Sequence, residues 1–203
     1  MGKNKKIVLG AVLVATLLAG CGDQNAALEQ HAEAEVASSP ETTEVPAFHF
    51  ESGTLELGDF DPQTLGDDLF DPCTEISEEE FAAAGITGVE SFENVAGTPN
   101  PDTNSCKSSE LKPGISRLIT GTKMNEIVAG AKPGIVLEHP QSDVVGIFTQ
   151  VDPGRDPHLC IAQVDTLRGS LGVGVSERGA QRGKNDVCSL AVQSLERLYA
   201  IAN

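Results

Sequence analysis

Cys160-Ile161-Ala162-Gln163-Val164 and Leu171-Gly172-Val173-Gly174-Val175 are two apolar, β-branched runs joined by the short turn 165–170. Such a pair reads as a β-hairpin buried in a sheet. Working outward, residues 115–120, 135–138, 144–149, 159–164 and 171–176 repeat that pattern between Gly, Pro and Asp turns. Residues 124–131 read as a short helix stopped by Pro133-Gly134. Two better-signalled helices frame this middle. Ser77 with Glu80 forms a capping box, Glu78 and Glu79 suit the positive end of the helix dipole, and Gly85 ends the helix at 77–84. At the other end Asn185 or Asp186 caps a helix whose Val187, Leu190, Ala191, Leu195, Leu198 and Ile201 recur at helical spacing. That stripe requires a partner surface, so the expected class is α+β. An antiparallel sheet carries helices on one face and is framed by an N-terminal and a C-terminal helix.

Five cysteines punctuate the chain, at 21, 73, 106, 160 and 188. Cys21 follows Leu18-Ala19-Gly20, directly after the apolar stretch 7–19, and Lys3, Lys5 and Lys6 precede it. Positive residues, a short apolar run and small residues before a cysteine form the pattern of an export signal with a lipobox. A membrane span needs about 20 apolar residues, which this run lacks. The expectation is a lipoprotein signal peptide over 1–20 and lipidation, such as palmitate, on Cys21. Membrane lipid is then a partner through the acylated Cys21, and the protein sits on the extracytoplasmic face of the cell membrane.

In an exported chain Cys73, Cys106, Cys160 and Cys188 are expected to form two disulfides. No C-x-x-C pair or Cys/His cluster offers a zinc site. Cys73 and Cys188 both stand at helix starts, so the favoured pairing is Cys73 with Cys188 and Cys106 with Cys160. The rival pairs Cys73 with Cys106 and Cys160 with Cys188.

Charge divides the chain. Residues 22–105 hold 20 acids and no base, whereas 106–203 hold 10 acids and 11 bases. Without the signal segment those 11 bases face 30 acids, a net charge of −19. A general nucleic-acid binder is excluded, because neutralising phosphates needs a basic surface. Residues 21–69 read as an acidic disordered tether and 70–203 as the secreted domain.

Phe70-Asp71-Pro72-Cys73 before a capped acidic helix, then Cys106, the strand opening at Cys160, and Asn185-Asp186-Val187-Cys188 before an Ala/Leu-rich terminal helix make a recognisable order. Over residues 70–203 the chain resembles the actinobacterial envelope lipoproteins that carry the domain of unknown function numbered 3558. It departs from them after Cys106, where members often carry Trp and this chain reads Lys107-Ser108. The resemblance implies an exported lipoprotein and supplies no reaction.

Chemistry is sparse. His31 and His49 fall in the tether, and His139 and His158 lie at a strand end and in the proline-rich turn 152–158. No G-x-S-x-G elbow occurs, so no catalytic residue is assigned. The alternating oxygen ligands of a calcium loop are missing, and Gly169, Gly172 and Gly174 fall in a hairpin and not in a dinucleotide-binding turn. No metal or cofactor is expected. The basic stretch Arg168, Arg178, Arg182 and Lys184 is the candidate contact for an anion or a partner, such as an envelope protein or an anionic polymer. The leading expectation is a lipid-anchored binding or interaction module of the cell envelope. The alternative is a solute-binding or sensor-type lipoprotein with a small-ligand cleft.

Overall fold

The computed structural model describes residues 45–92 and 100–203, within the compact unit Thr43–Asn203. The signal segment, Cys21 and the first part of the expected tether lie outside the described residues. In chain order the elements are β1 (Ala47–Phe50), β2 (Gly53–Glu56), α1 (Pro72–Glu75), α2 (Glu78–Ala83), β3 (Glu90–Ser91), β4 (Thr103–Lys107) and β5 (Ile115–Thr122). There follow α3 (Glu126–Gly130), β6 (Val136–Glu138), β7 (Phe148–Asp152), β8 (Asp156–Thr166), β9 (Gly169–Glu177) and α4 (Val187–Ile201). Seven strands form one antiparallel sheet in the order β3-β4-β5-β9-β8-β7-β6, and β1 and β2 form a separate hairpin.

The β8–β9 hairpin is the centre of the sheet. Its turn is tighter than residues 165–170 suggested, because Thr166 pairs with Gly169 and only Leu167 and Arg168 remain outside the ladder. Residues 144–147 leave the expected strand for a turn that buries Val144 and Ile147 and exposes Val145, with Gly146 at φ 78°, and β7 begins at Phe148.

Alternation along the paired strands sorts the side chains onto two faces. Ile115 and Ile119 of β5, Val173 and Val175 of β9, and Ala162 and Val164 of β8 share one face and are fully buried. Against them α4 buries Val187, Ala191, Leu195 and Leu198, at spacings of one turn. Helices α1 and α2 lie on the same side, α1 against β4 and β5 and α2 against α4. The capping box of α2 forms as expected: the Glu80 N–H donates to Ser77 Oγ at 3.3 Å, and the Ser77 N–H donates to Glu80 Oε2 at 2.8 Å.

Both disulfides pin a helix to this face, Cys73–Cys106 at α1 and Cys160–Cys188 at α4. The favoured pairing is therefore corrected to its rival. Cys106 on β4 and Cys160 on β8 are separated by β5 and β9, three strand spacings or about 14 Å. A disulfide tolerates a Cα separation of about 7 Å at most. Both helix-start cysteines find partners on the strand beneath them, which leaves the two helices unlinked to each other.

The tether boundary also moves. Residues 45–69 are part of the folded unit, with Phe48, Phe50 and Leu55 buried in its core. Phe48 meets Tyr199 edge-on, ring centroids 5.1 Å apart, and Phe50 stacks on Phe70. The His49 N–H donates to Ala202 O at 2.9 Å, so this hairpin locks onto the end of α4. The acidic composition of the region masked the apolar alternation inside it.

The Asp71-Pro72-Cys73 motif is structural. Asp71 accepts from the Cys73 N–H at 2.9 Å, Pro72 occupies the first helical position, where its missing N–H costs nothing, and Cys73 makes the bridge.

Candidate functional site

The second face of the sheet carries Ser116 and Leu118 of β5, Gly172, Gly174 and Ser176 of β9, and Leu159, Ile161 and Gln163 of β8. Near the β8–β9 turn this face is covered by α3 and the residue before its cap. Met124 O accepts from Gln163 Nε2 at 3.3 Å and from Ser170 Oγ at 3.1 Å, and the Glu126 N–H donates to Asp165 Oδ2 at 3.2 Å. The buried amides of Gln150 and Gln163 bond to each other, so the polar groups beneath the cover are satisfied. Burial raises the Asp165 carboxyl above its ordinary value against the opposing hydrogen bond from Ser170.

At the other end of the same strands Leu118 and Leu159 are left half-buried, with the buried backbone of Gly174 between them. The result is a half-open groove of about 970 Å³, lined by Lys107, Arg178 and Arg182 and also by Glu110 and Asp156. Ligand sites of small molecules occupy roughly 300–1,000 Å³ and combine an apolar lining with a few placed polar groups.

The loop that carries two of these cations is held from inside by Glu177, the last residue of β9, whose side chain is 1% exposed. Its carboxylate accepts from the Gly183 N–H at 2.5 Å, the Asn185 N–H at 2.6 Å and Asn185 Nδ2 at 2.6 Å. His158 Nδ1 stands 3.8 Å away. Burial pushes this carboxyl up, but those hydrogen bonds outweigh it and hold it below the ordinary value. Gly183, at φ 72°, gives the backbone the left-handed turn that presents its N–H to Glu177. Arg178 is further tied by its N–H to Gly114 O at 2.8 Å. Both arginines are exposed, and among the described residues neither Arg178 nor Arg182 has a carboxylate within ion-pair distance. Lys107 pairs with Glu90 at 3.1 Å, both exposed, an interaction that contributes little.

Of the four basic residues singled out from the sequence, the fold brings Arg178 and Arg182 to one groove and separates the other two. Arg168 is spent internally. Its guanidinium donates to both Glu75 oxygens at 2.6 and 3.1 Å and to Asp68 at 3.1 Å, and it lies over the Phe70 ring. The Glu75 hydrogen bond raises Arg168, with burial opposing. Burial also pushes Glu75 up, but Arg168 and the Asp71 N–H hold it below its ordinary value. The expectation of an anion or partner contact at Arg168 is corrected accordingly: it clamps the hairpin tip to α1. Lys184 is exposed outside the groove lining.

Lys107, Leu118, Leu159 and Gly174 went unrecognised, because only strand register places them side by side. The one signal was Gly172-x-Gly174 inside a strand, where glycine marks a close backbone approach. Buried Arg117 was also missed. It donates to Ser108 Oγ at 3.0 Å and to Gly85 O at 3.2 Å at the end of α2, and burial with Arg197 beside it brings it down to about 10.

Among the described residues, no group of three or more His, Cys, Asp or Glu side chains is placed to hold a metal ion, and no helix is long and apolar enough to cross a membrane. His139 meets Glu126 at 2.9 Å and His158 faces Glu177. The groove combines apolar side chains with a rim of mixed charge, Lys107, Arg178 and Arg182 beside Glu110 and Asp156. A family model described as "Protein of unknown function (DUF3558)" matches residues 16–200. No curated protein and no solved structure matches the chain.

Proposed function

The chain belongs to the family described as Protein of unknown function (DUF3558), and from that premise we propose that it is a lipid-anchored, extracytoplasmic ligand-binding protein. Cys21 carries the lipid, residues 22–44 tether the unit, and the groove on the open sheet face receives a ligand with negative charge. The lipobox pattern at residues 18–21 supports the anchor. Two or three acyl chains on one cysteine clear the threshold for stable attachment.

The observation that carries the reading is the groove itself. Lys107, Arg178 and Arg182 stand at one concavity of a chain whose net charge is otherwise strongly negative, with Glu110 and Asp156 also in its lining. At physiological salt, charges beyond about 8 Å are largely screened, so an anion in the groove responds to the local set, Lys107, Arg178 and Arg182 against Glu110 and Asp156, and not to the acids elsewhere on the chain. A concave, apolar-floored site suits a small ligand better than a flat protein partner, which supports the cleft reading over the interaction-module reading.

The test is native mass spectrometry of the full chain released from membranes, with a Arg178→Gln/Arg182→Gln variant beside it. Hydrogen bonds to charged groups contribute roughly 1.5–3 kcal/mol each, so losing two is expected to reduce retention of a non-covalent adduct at least tenfold. An adduct retained equally by the variant, or no adduct on the wild type, would overturn the reading.

A further inference from the structure

We propose that the occupant of the groove is a single-chain amphiphilic anion, its acyl chain lying over Gly174 and its carboxylate or phosphate head held by Arg178 and Arg182. This deepens the ligand-binding reading and rests on it.

Two independent observations carry the assignment. The first is the division of the groove into apolar and cationic parts. Leu118 and Gly174 face each other across β5 and β9, and Leu159 stands on β8 opposite Ser176, so the middle of the floor is hydrocarbon and backbone, with the Ser116 and Ser176 hydroxyls toward the Arg178 end. Lys107 is paired with Leu118 and stands at the outer side of that floor. Arg178 continues β9 two residues beyond Ser176, at the end of the floor. A ligand that meets both parts at once needs an apolar body and a negative end.

The second is Gly174. A Cβ built there meets only side chains, Ile161 Cγ1 at 3.6 Å, Leu159 Cδ1 at 3.7 Å and Leu118 Cβ at 3.8 Å, all ordinary contacts. Its backbone is extended, so neither φ nor packing demands glycine. Gly121 and Gly172 differ: a Cβ at Gly121 would stand 1.9 Å from Phe70 O, and one at Gly172 would stand 2.8 Å from Gln163 Cγ. Glycine in a strand interior is destabilising relative to alanine. At 174 that cost leaves a position without a side chain, buried among Leu118, Leu159 and Ile161, on a floor three strands wide, about 10 Å from β5 to β8. A methylene chain fits there and a side chain would displace it.

The experiment titrates the full chain, in phosphatidylcholine nanodiscs, with monobutyl, monohexyl and monooctyl phosphate, and with inorganic phosphate as the head alone. Occupancy is read as amide-exchange protection of residues 116–118 and 159–161. Each buried methylene raises affinity about fourfold, so the six-carbon ligand is expected to bind roughly 16-fold more tightly than the four-carbon one. Gly174→Leu should abolish that chain-length dependence and leave weak inorganic phosphate binding intact. Gly174→Ala is the control for folding, and Arg178→Gln/Arg182→Gln should weaken every ligand at least tenfold. Affinity independent of chain length, or Gly174→Leu without effect in a folded protein, overturns the amphiphile. If no alkyl phosphate binds while the native adduct still depends on Arg178 and Arg182, the amphiphile fails and the ligand-binding reading stands. If that adduct is missing as well, both fail.

Discussion

Gly121 on β5 and Gly172 and Gly174 on the adjacent β9 lie close together, so replacing each by alanine separates packing from backbone preference within one small region. Each substitution gains about 0.5–1 kcal/mol from the backbone, since alanine is the better strand residue. At 174 the new methyl meets only ordinary contacts, the nearest at 3.6 Å, and the gain is expected in full. At 172 it presses on Gln163 Cγ at 2.8 Å and Thr120 Oγ1 at 3.0 Å. Gln163 is buried and bonded at both ends of its amide, to Gln150 and to Met124 O, and does not swing aside. Overpacking of about 1–3 kcal/mol then outweighs the gain, for a net loss near 1–2 kcal/mol. At 121 the methyl would stand 1.9 Å from Phe70 O, and reaching even 3.0 Å requires a retreat of 1.1 Å. The Phe70 segment is held by its N–H to Arg168 O at 2.9 Å and by the Cys73–Cys106 bond next to it. The expected loss exceeds about 4 kcal/mol, most of the stability of a small domain. With no Trp and one Tyr, urea unfolding of the full chain is best followed by far-UV circular dichroism. With a slope near 2 kcal/mol/M, Gly174→Ala raises the midpoint by about 0.2–0.5 M. Gly174→Ala losing more than about 1 kcal/mol, or Gly121→Ala unfolding within about 1 kcal/mol of wild type, would refute the reasoning.

Replacing Cys160 and Cys188 together by Ala opens a loop of 28 residues and should cost about 3.6 kcal/mol. The 33-residue loop at Cys73–Cys106 predicts a similar loss, and a change below about 1 kcal/mol for either in urea unfolding contradicts the entropic account. Glu177 has a folded-state pKa held below its ordinary 4.5. Its contribution is therefore complete above that unfolded value and is lost as pH falls through the lower folded one. Glu177→Gln should flatten the acid limb of the stability curve and speed amide exchange at Gly183 and Asn185 at neutral pH, and unchanged exchange would show that the carboxylate does not hold the loop. Under the proposed anchoring, Cys21→Ser is expected to abolish metabolic palmitate labelling, and labelling that persisted would place the lipid elsewhere.

Local signals were legible wherever one short stretch carried its own partner. Ser77 and Glu80 announce the α2 cap, Asp186 the start of α4, and the runs around 160–175 their own hairpin, because donor, acceptor and turn lie within a few residues. What depended on distant neighbours stayed hidden. Phe48, Phe50 and Leu55 form a hairpin whose apolar faces are completed by Phe70 and Tyr199, while six acids from residue 51 to residue 68 give it the composition of a tether. The pairing of cysteines followed the same rule, since it turned on which strand lies under which helix. At the groove, Arg178 and Arg182 could be named from the charge run. Lys107, however, reaches them only because β4 pairs with β5 and β5 with β9, and Arg168 leaves them because Glu75 captures it.

The two disulfides join each cysteine to its nearest neighbour in the domain, at separations of 33 and 28 residues. Of the three ways to pair four thiols, only this one produces loops that neither nest nor cross. The native set is therefore also the one that a still unstructured chain samples most often. The chance that two thiols meet falls as the three-halves power of the intervening length. Cys160, choosing between Cys188 at 28 residues and Cys106 at 54, meets its native partner about threefold more often. Random oxidation is thus biased toward the correct isomer before any sheet exists. Each bond can also close while the other half of the domain is still unmade, leaving little need for thiol reshuffling.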